Sequence, residues 1–228
     1  MTAFAGTPVS RPICRGSDLP YNHLVMKKSS QLLGRPRVAE IDQNLERAFE
    51  ELINEIPLRE FSVQKLISRA GTTRDAFYRR YASLGHFFIE VILIHFATDP
   101  TEDTGSLHDD LTVILRAQRE MYTHPLAKGL IPLVLEASFR DPVTAEALST
   151  RFIQQQRTAV IEMLERAVQR GEIEPIADVH FVVDQLYSPM LFRAVLPGMQ
   201  AIDEAYEQTI LIAVLESLGA PINTQATP

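Results

Sequence analysis

Residues 68–84 read "SRAGTTRDAFYRRYASL". The segment gathers four arginines and three aromatic residues in a chain whose formal net charge is −7. Immediately upstream, Ser62 precedes Val63, Leu66, Ile67 and Ala70, an apolar stripe of about two helical turns with a side-chain cap at its start. Gly71 ends that helix and permits a sharp reversal at positive φ. Thr72 and Thr73 then cap a third helix, expected over 73–80. A helix, a glycine turn and a short helix make a helix-turn-helix, whose second helix enters the DNA major groove.

The faces of the third helix follow from about 100° per residue. With Phe77 inward, Asp75 and Arg79 stand almost opposite it, while Arg74, Ala76, Tyr78 and Arg80 flank it and Tyr81 returns beside Phe77. Arginine suits guanine O6/N7 and aspartate accepts from cytosine N4, so Arg74, Asp75 and Arg79 are the expected base readers. Tyr78 and Arg80 are expected at phosphates, which position the protein without reading sequence. Arg35 and Arg37 bring further positive charge to the approach, and the expected DNA-facing set is completed by the capping residues Ser62, Thr72 and Thr73 and by Ala76.

Around this segment the pattern is helical throughout. Ile41, Leu45, Ala48, Phe49, Leu52, Ile53 and Ile56 form the apolar face of a first helix that Pro57 stops. Ser83 opens a fourth helix carrying Phe87, Phe88, Val91, Ile92 and His95 inward. After the acidic connection 98–106, five more helices are expected near 107–123, 127–139, 142–170, 178–196 and 202–218. Asp141-Pro142 reads as a cap with a first-turn proline, and Gly171 and Gly219 stand where helices end. Nothing alternates as a strand would. The expected fold is all-α, about nine helices in all.

Charge divides the chain. Residues 1–96 carry 13 Lys and Arg against 10 Asp and Glu, and residues 97–228 carry 9 against 19. A basic front and an acidic back suit a small DNA-reading head on a larger body. The expected organisation is a flexible basic extension over 1–33, a DNA-binding domain over 34–82, a helical sensing and dimerisation domain over 83–220, and a tail over 221–228. Met26, ahead of "KKSSQLLGRPR", offers a second translation start. The lone cysteine, Cys14, excludes an intramolecular disulfide. With no signal-peptide pattern and no apolar run of spanning length, a cytoplasmic protein without membrane contact is expected.

"GRPR" at 34–37 and "FSVQKLISRAGTTRDAFYRRYASLGHFF" at 61–88 resemble the N-terminal DNA-binding domain of TetR-type transcriptional regulators. Ser62, Val63, Arg69, Ala70, Gly71, Thr73, Phe77, Tyr78 and Tyr81 carry the match. The resemblance implies that Thr73 caps the recognition helix near a phosphate and that Tyr78 touches the DNA backbone. Asp75 and Ala76 depart from the small residue and threonine frequent in the family, and Leu84 and Gly85 replace a lysine and an acid at the fourth helix. "LEASFRDPVTAEAL", "RAVQRGEIEP" and "FVVDQLYSPMLFRAVL" resemble the regulatory domain of one TetR subgroup, extending the likeness to Gly219.

That resemblance implies a homodimer on a palindromic double-stranded operator, a repressor rather than an activator, and release by a small effector. Dimerisation is expected through the last two helices, at Phe181, Leu186, Val195, Ile210, Leu211, Val214 and Leu218, the alternative being that a lone subunit buries much of these faces internally. A mostly apolar pocket is expected from Met121, Tyr122, Leu133, Phe139, Phe152, Tyr187, Met190 and Phe192, with His108, His124 or His180 as polar anchors; each of these also reads as plain core or surface. Pro189 predicts a kink in the eighth helix. No metal-ligand spacing, nucleophile elbow or phosphate loop is present, so neither cofactor nor catalysis is expected. The competing reading is an all-α interaction protein whose helix-turn-helix no longer reads DNA.

Overall fold

A computed structural model of the protein describes residues 36–96 and 103–221, with side chains from residue 41 onward. The expected extension over 1–33, the Met26 start, Arg35 and most of the C-terminal tail lie outside the described residues, as does the side chain of Arg37.

Helix α1 (Pro36–Glu55) turns Leu45, Ala48, Phe49, Leu52 and Ile53 inward at the i, i+3, i+4 spacing that buries one stripe. Pro57 follows, and a single 3-10 turn (Leu58–Glu60) leads to α2 (Val63–Ala70). Ser62 caps α2 by accepting from the Lys65 amide at 3.3 Å. Gly71 adopts φ 64°, a left-handed conformation that turns the chain directly into α3 (Arg74–Tyr78). Helix α4 (Leu84–Phe96) then leaves the head and enters the body.

The head is held together by rings. Phe49 lies 5.5 Å from Phe61 and 5.8 Å from Phe87, and Phe77 lies 6.1 Å from Phe87 (centroid distances), so α1, α3 and α4 share one aromatic cluster. Arg69 of the family-like "SRAG" segment ties α2 to α1 through Glu55 at 2.8 Å and Glu51 at 3.3 Å.

In the body, α5 (Leu107–Thr123) packs against four neighbours: α6 (Pro125–Arg140), α8 (Gln154–Gln169), α9 (Val179–Val195) and α10 (Glu204–Ser217). Its first amide, Leu107 N, is served by Glu172 at 2.6 Å from the loop after α8. Asp141 caps α7 (Pro142–Ala147) by accepting from the amides of Val143 and Thr144. From α7 the chain runs through a π-helical stretch (Leu148–Ile153) into α8 without a break. Counting that rod once, the described residues form nine helices and no strand. An ion pair from half-buried Arg119 to buried Glu207 at 2.5 Å joins α5 to α10. Among the described residues, no helix is long and apolar enough to cross a membrane.

One difference from the periodicity reading matters for the site. The recognition helix closes at Tyr78, with Arg79 as its C-cap, because Arg80 and Tyr81 already donate their amides back to Phe77 O in the turn. Pro189 sits inside α9, which continues to Val195.

Candidate nucleic-acid interface and ligand cavities

The α2–Gly71–α3 unit presents one outward face. Thr73 caps α3, its hydroxyl accepting from Ala76 N at 3.1 Å, and Phe77 is fully buried beneath. Arg74, Asp75, Tyr78 and Arg79 project to solvent, with the Arg74 guanidinium stacked 5.4 Å from the Tyr78 ring centroid. Thr72 is half-buried in the turn and Ser62 is committed to its own helix cap. Those four outward side chains form an unbroken edge of hydrogen-bond donors and one acceptor, the composition that reads base edges and phosphates.

Two residues of the expected set point elsewhere. Ala76 is only 5% exposed, buried beside Phe77 in the chain rather than on the outward edge. Arg80 turns back, its guanidinium 2.7 Å from Asp42 on α1 and donating to Ala76 O at 3.1 Å. Neither side chain projects from the reading edge.

The start of α4 accounts for the glycine that replaces the acid. The amide of His86 donates to Ser83 Oγ at 3.0 Å, and Ser83 Oγ lies 2.6 Å from Thr144 Oγ1 on α7. A Cβ on Gly85 would sit 2.6 Å from Thr144 Cγ2, so glycine permits this close approach of α4 to the body. The start of α4 is thus a packing seam.

Among the cavities of the body, two adjoin each other. The larger, about 240 Å³, lies between α4, α6, the π-helical stretch and α9, with Ile89, Tyr122, Val134, Leu148, Phe152 and Tyr187 among its walls. Arg157 and Asp184 form an ion pair at its edge. The smaller, about 120 Å³, is bounded by Phe96, Gln118 and Met121 and shares Phe152, Gln156 and Tyr187 with the first. Burial pushes the Tyr122 phenol up to about 12 and raises that of Tyr187 further, so both hydroxyls are neutral donors at physiological pH.

Of the expected pocket residues, Tyr122, Phe152 and Tyr187 line the larger cavity and Met121 the smaller. Met190 is fully buried in the core and Leu133 packs against it. Phe139 and Phe192 are 88% and 53% exposed, so they lie on the outside of the body. His124 caps α6 by accepting from Leu126 N at 3.2 Å, and His108 pairs with Asp109 at the surface. His180 contributes its backbone carbonyl to Arg157. Gln118, Gln156, Arg157 and Asp184 were absent from the expectation; a glutamine inside the apolar stripe of α5, between Ile114 and Met121, was the available signal.

The expected dimer face needs the same correction. Leu186, Ile210, Leu211 and Val214 are buried in their own subunit, and Val195 and Leu218 are partly buried. The exposed large apolar side chains of the last two helices are Phe181 and Phe192 on α9 and Ile212 on α10.

Residues 101–214 match a family model described as the tetracyclin repressor-like C-terminal domain. The chain is 24% identical over 195 residues to the HTH-type transcriptional regulator YdeS of Bacillus subtilis (strain 168), covering 85% of this chain and 97% of that protein. It is 28% identical over 116 residues to the HTH-type transcriptional regulator AqdR of Rhodococcus erythropolis, covering 50% and 55% respectively. Its fold is similar to that of the TetR family transcription regulator SCO0332, with a TM-score of 0.61 at 24% identity over 78% of this chain and 97% of the other. It also resembles Salmonella enterica GusR, with a TM-score of 0.59 at 18% identity over 82% and 99%.

Proposed function

The chain belongs to the TetR family of transcriptional regulators, and on that premise we propose that it represses transcription as a homodimer on a palindromic operator and is released by a small, largely apolar effector. It is a DNA-binding regulator and not an enzyme. The head, 34–82, reads DNA; the body, 83–220, dimerises and senses; the site of action is the cytoplasm, with the DNA. One short helix reaches few base pairs, and two of them about one turn of DNA apart read a palindrome.

The observation that carries the DNA assignment is the outward edge of α3. Arg74, Asp75, Tyr78 and Arg79 are all exposed there, while the inward side is closed by Ala76 and Phe77. For the effector, the supporting feature is α4. It starts at the recognition helix and ends at the cavities, where Ile89 and Ile92 form part of the wall. A ligand shifts the spacing of the two heads only by binding one arrangement better than the other.

The test is a fluorescence-anisotropy titration on DNA directly upstream of the protein's own gene, at two salt concentrations, against random DNA. Dimer-stoichiometric, salt-sensitive binding that exceeds random DNA by about a thousandfold is expected. Arg74→Ala combined with Tyr78→Phe should abolish that preference while the melting temperature holds. Unchanged binding by this variant would remove α3 from the interface.

A further inference from the structure

We propose that the effector is a neutral, amphipathic molecule whose polar head both donates and accepts a hydrogen bond, and that Gln118 is the group that reads that head. The inference rests on the proposed sensing role of the body and adds the chemical class of what is sensed.

Four polar or charged side chains are buried among the described residues: Asp110, Gln118, Thr144 and Glu207. Three of them have partners within the chain. Asp110 accepts from Thr104 N at 2.9 Å, Thr144 meets Ser83 at 2.6 Å, and Glu207 meets Arg119 at 2.5 Å. Gln118 is 5% exposed, and neither its Oε1 nor its Nε2 has a hydrogen-bond partner among the described residues. A buried amide without partners costs folding free energy, and a ligand that satisfies it returns that cost on binding.

The surroundings say what such a ligand is. The smaller cavity, which Gln118 lines, is bordered by two further glutamines, Gln155 and Gln156, and by no charged side chain. In the larger cavity the charges are Arg157 and Asp184, already paired with each other. A carboxylate or ammonium entering either space would lose its hydration without gaining a counterion. A primary amide offers one acceptor and two donors, and its complement is a group with an acceptor beside a donor: a carboxamide, lactam, imide or carbamate. The two cavities adjoin, sharing Phe152, Gln156 and Tyr187 in their walls, and in this proposal the apolar body takes the larger space and the head takes the smaller, beside Gln118. Phe152 stands in the π-helical stretch, a departure from regular helix that recurs at functional sites.

The probes are three molecules with one apolar body: 4-butylbenzamide, methyl 4-butylbenzoate and 4-butylbenzoate. Each is titrated by calorimetry into the full chain and into Gln118→Met, a near-isosteric exchange. The wild-type protein is expected to bind the amide at least about tenfold more tightly than the ester, and the benzoate most weakly. Gln118→Met should melt at or above the wild-type temperature and lose the advantage of the amide over the ester. The wild-type ranking is read independently of the variant, so a misfolded variant does not remove the test. An ester that binds as well as the amide, a benzoate that binds best, or an amide advantage that survives Gln118→Met overturns the head-group assignment while leaving a sensing cavity in place. Failure of all three probes to bind overturns the sensing role together with the assignment.

Discussion

Arg80 and Asp42 meet at 2.7 Å, linking the residue just beyond the recognition helix to the first helix of the head. The second hold on Arg80, Ala76 O at 3.1 Å, lies inside α3 itself. The guanidinium therefore ties the end of α3 to α1, and we infer that it supports DNA binding through alignment.

The consequence is measurable as a salt slope. Removing a phosphate contact lowers the slope of log affinity against log salt by about one, whereas removing an aligning group weakens binding without changing it. Arg80→Ala and Asp42→Ala are each expected to weaken operator binding and leave the slope unchanged. A slope reduced by about one in Arg80→Ala would return this arginine to the DNA backbone.

Gly85 is tested by its neighbour. Thr144 is 1% exposed and hydrogen-bonded to Ser83 at 2.6 Å and Asp141 at 2.5 Å, so it has little room to yield to a methyl group on Gly85. Gly85→Ala should destabilise the fold by about 1–3 kcal/mol through overpacking of the α4–α7 seam. Urea denaturation of Gly85→Ala, and of Gly85→Ala with Thr144→Ala, provides the check. The second exchange should recover part of the loss; no loss in the single variant would mean that the seam is looser than its geometry.

The sequence was most informative where a backbone group needed a side chain. Ser62, Thr73, Ser83 and Asp141 all cap the helices expected of them, and Gly71, Gly171 and Gly219 take the positive φ their positions demanded. Caps and turns are local, so local pattern finds them. The face of α3 was legible for the same reason, once Phe77 was set inward. Helices α9 and α10 defeated the reading because apolar residues lie on more than one side of each. Periodicity finds such stripes but does not say which one meets the subunit's own core. Leu186 and Leu211 went inward, while Phe192 and Ile212 went outward. Arg80 and Gln118 depend on partners, or on a lack of partners, that only the folded chain displays.

The exposed apolar side chains give a dimer prediction. Phe192 and Ile212 are 53% and 41% exposed, whereas Leu211 is 1% exposed. Phe192→Glu and Ile212→Glu are each expected to shift the protein toward monomer in sedimentation velocity while helicity and melting temperature hold. Operator affinity should fall with the dimer. Leu211→Ala should instead cost about 2–5 kcal/mol of stability as a core truncation. If both surface variants stay dimeric and bind DNA as before, the subunits meet elsewhere.

The last prediction concerns pH. The His124 ring accepts from Leu126 N at 3.2 Å to cap α6, and it stands edge-on to Phe96 with centroids 5.1 Å apart. Burial, and then the neighbouring His95, hold its pKa below the ordinary value. In the unfolded chain the same imidazole takes up its proton near pH 6.5. As pH falls below about 6.5, the unfolded state therefore binds more protons than the folded state, and stability falls until the folded-state pKa is passed. A protonated ring would also lose its acceptor and place positive charge at a helix N-terminus. Melting temperature should decline on acidification from about pH 7 to 5.5, and the decline should be shallower in His124→Asn, which keeps a capping oxygen without a titrating proton. Equal declines in the two proteins would assign the acid sensitivity to another group.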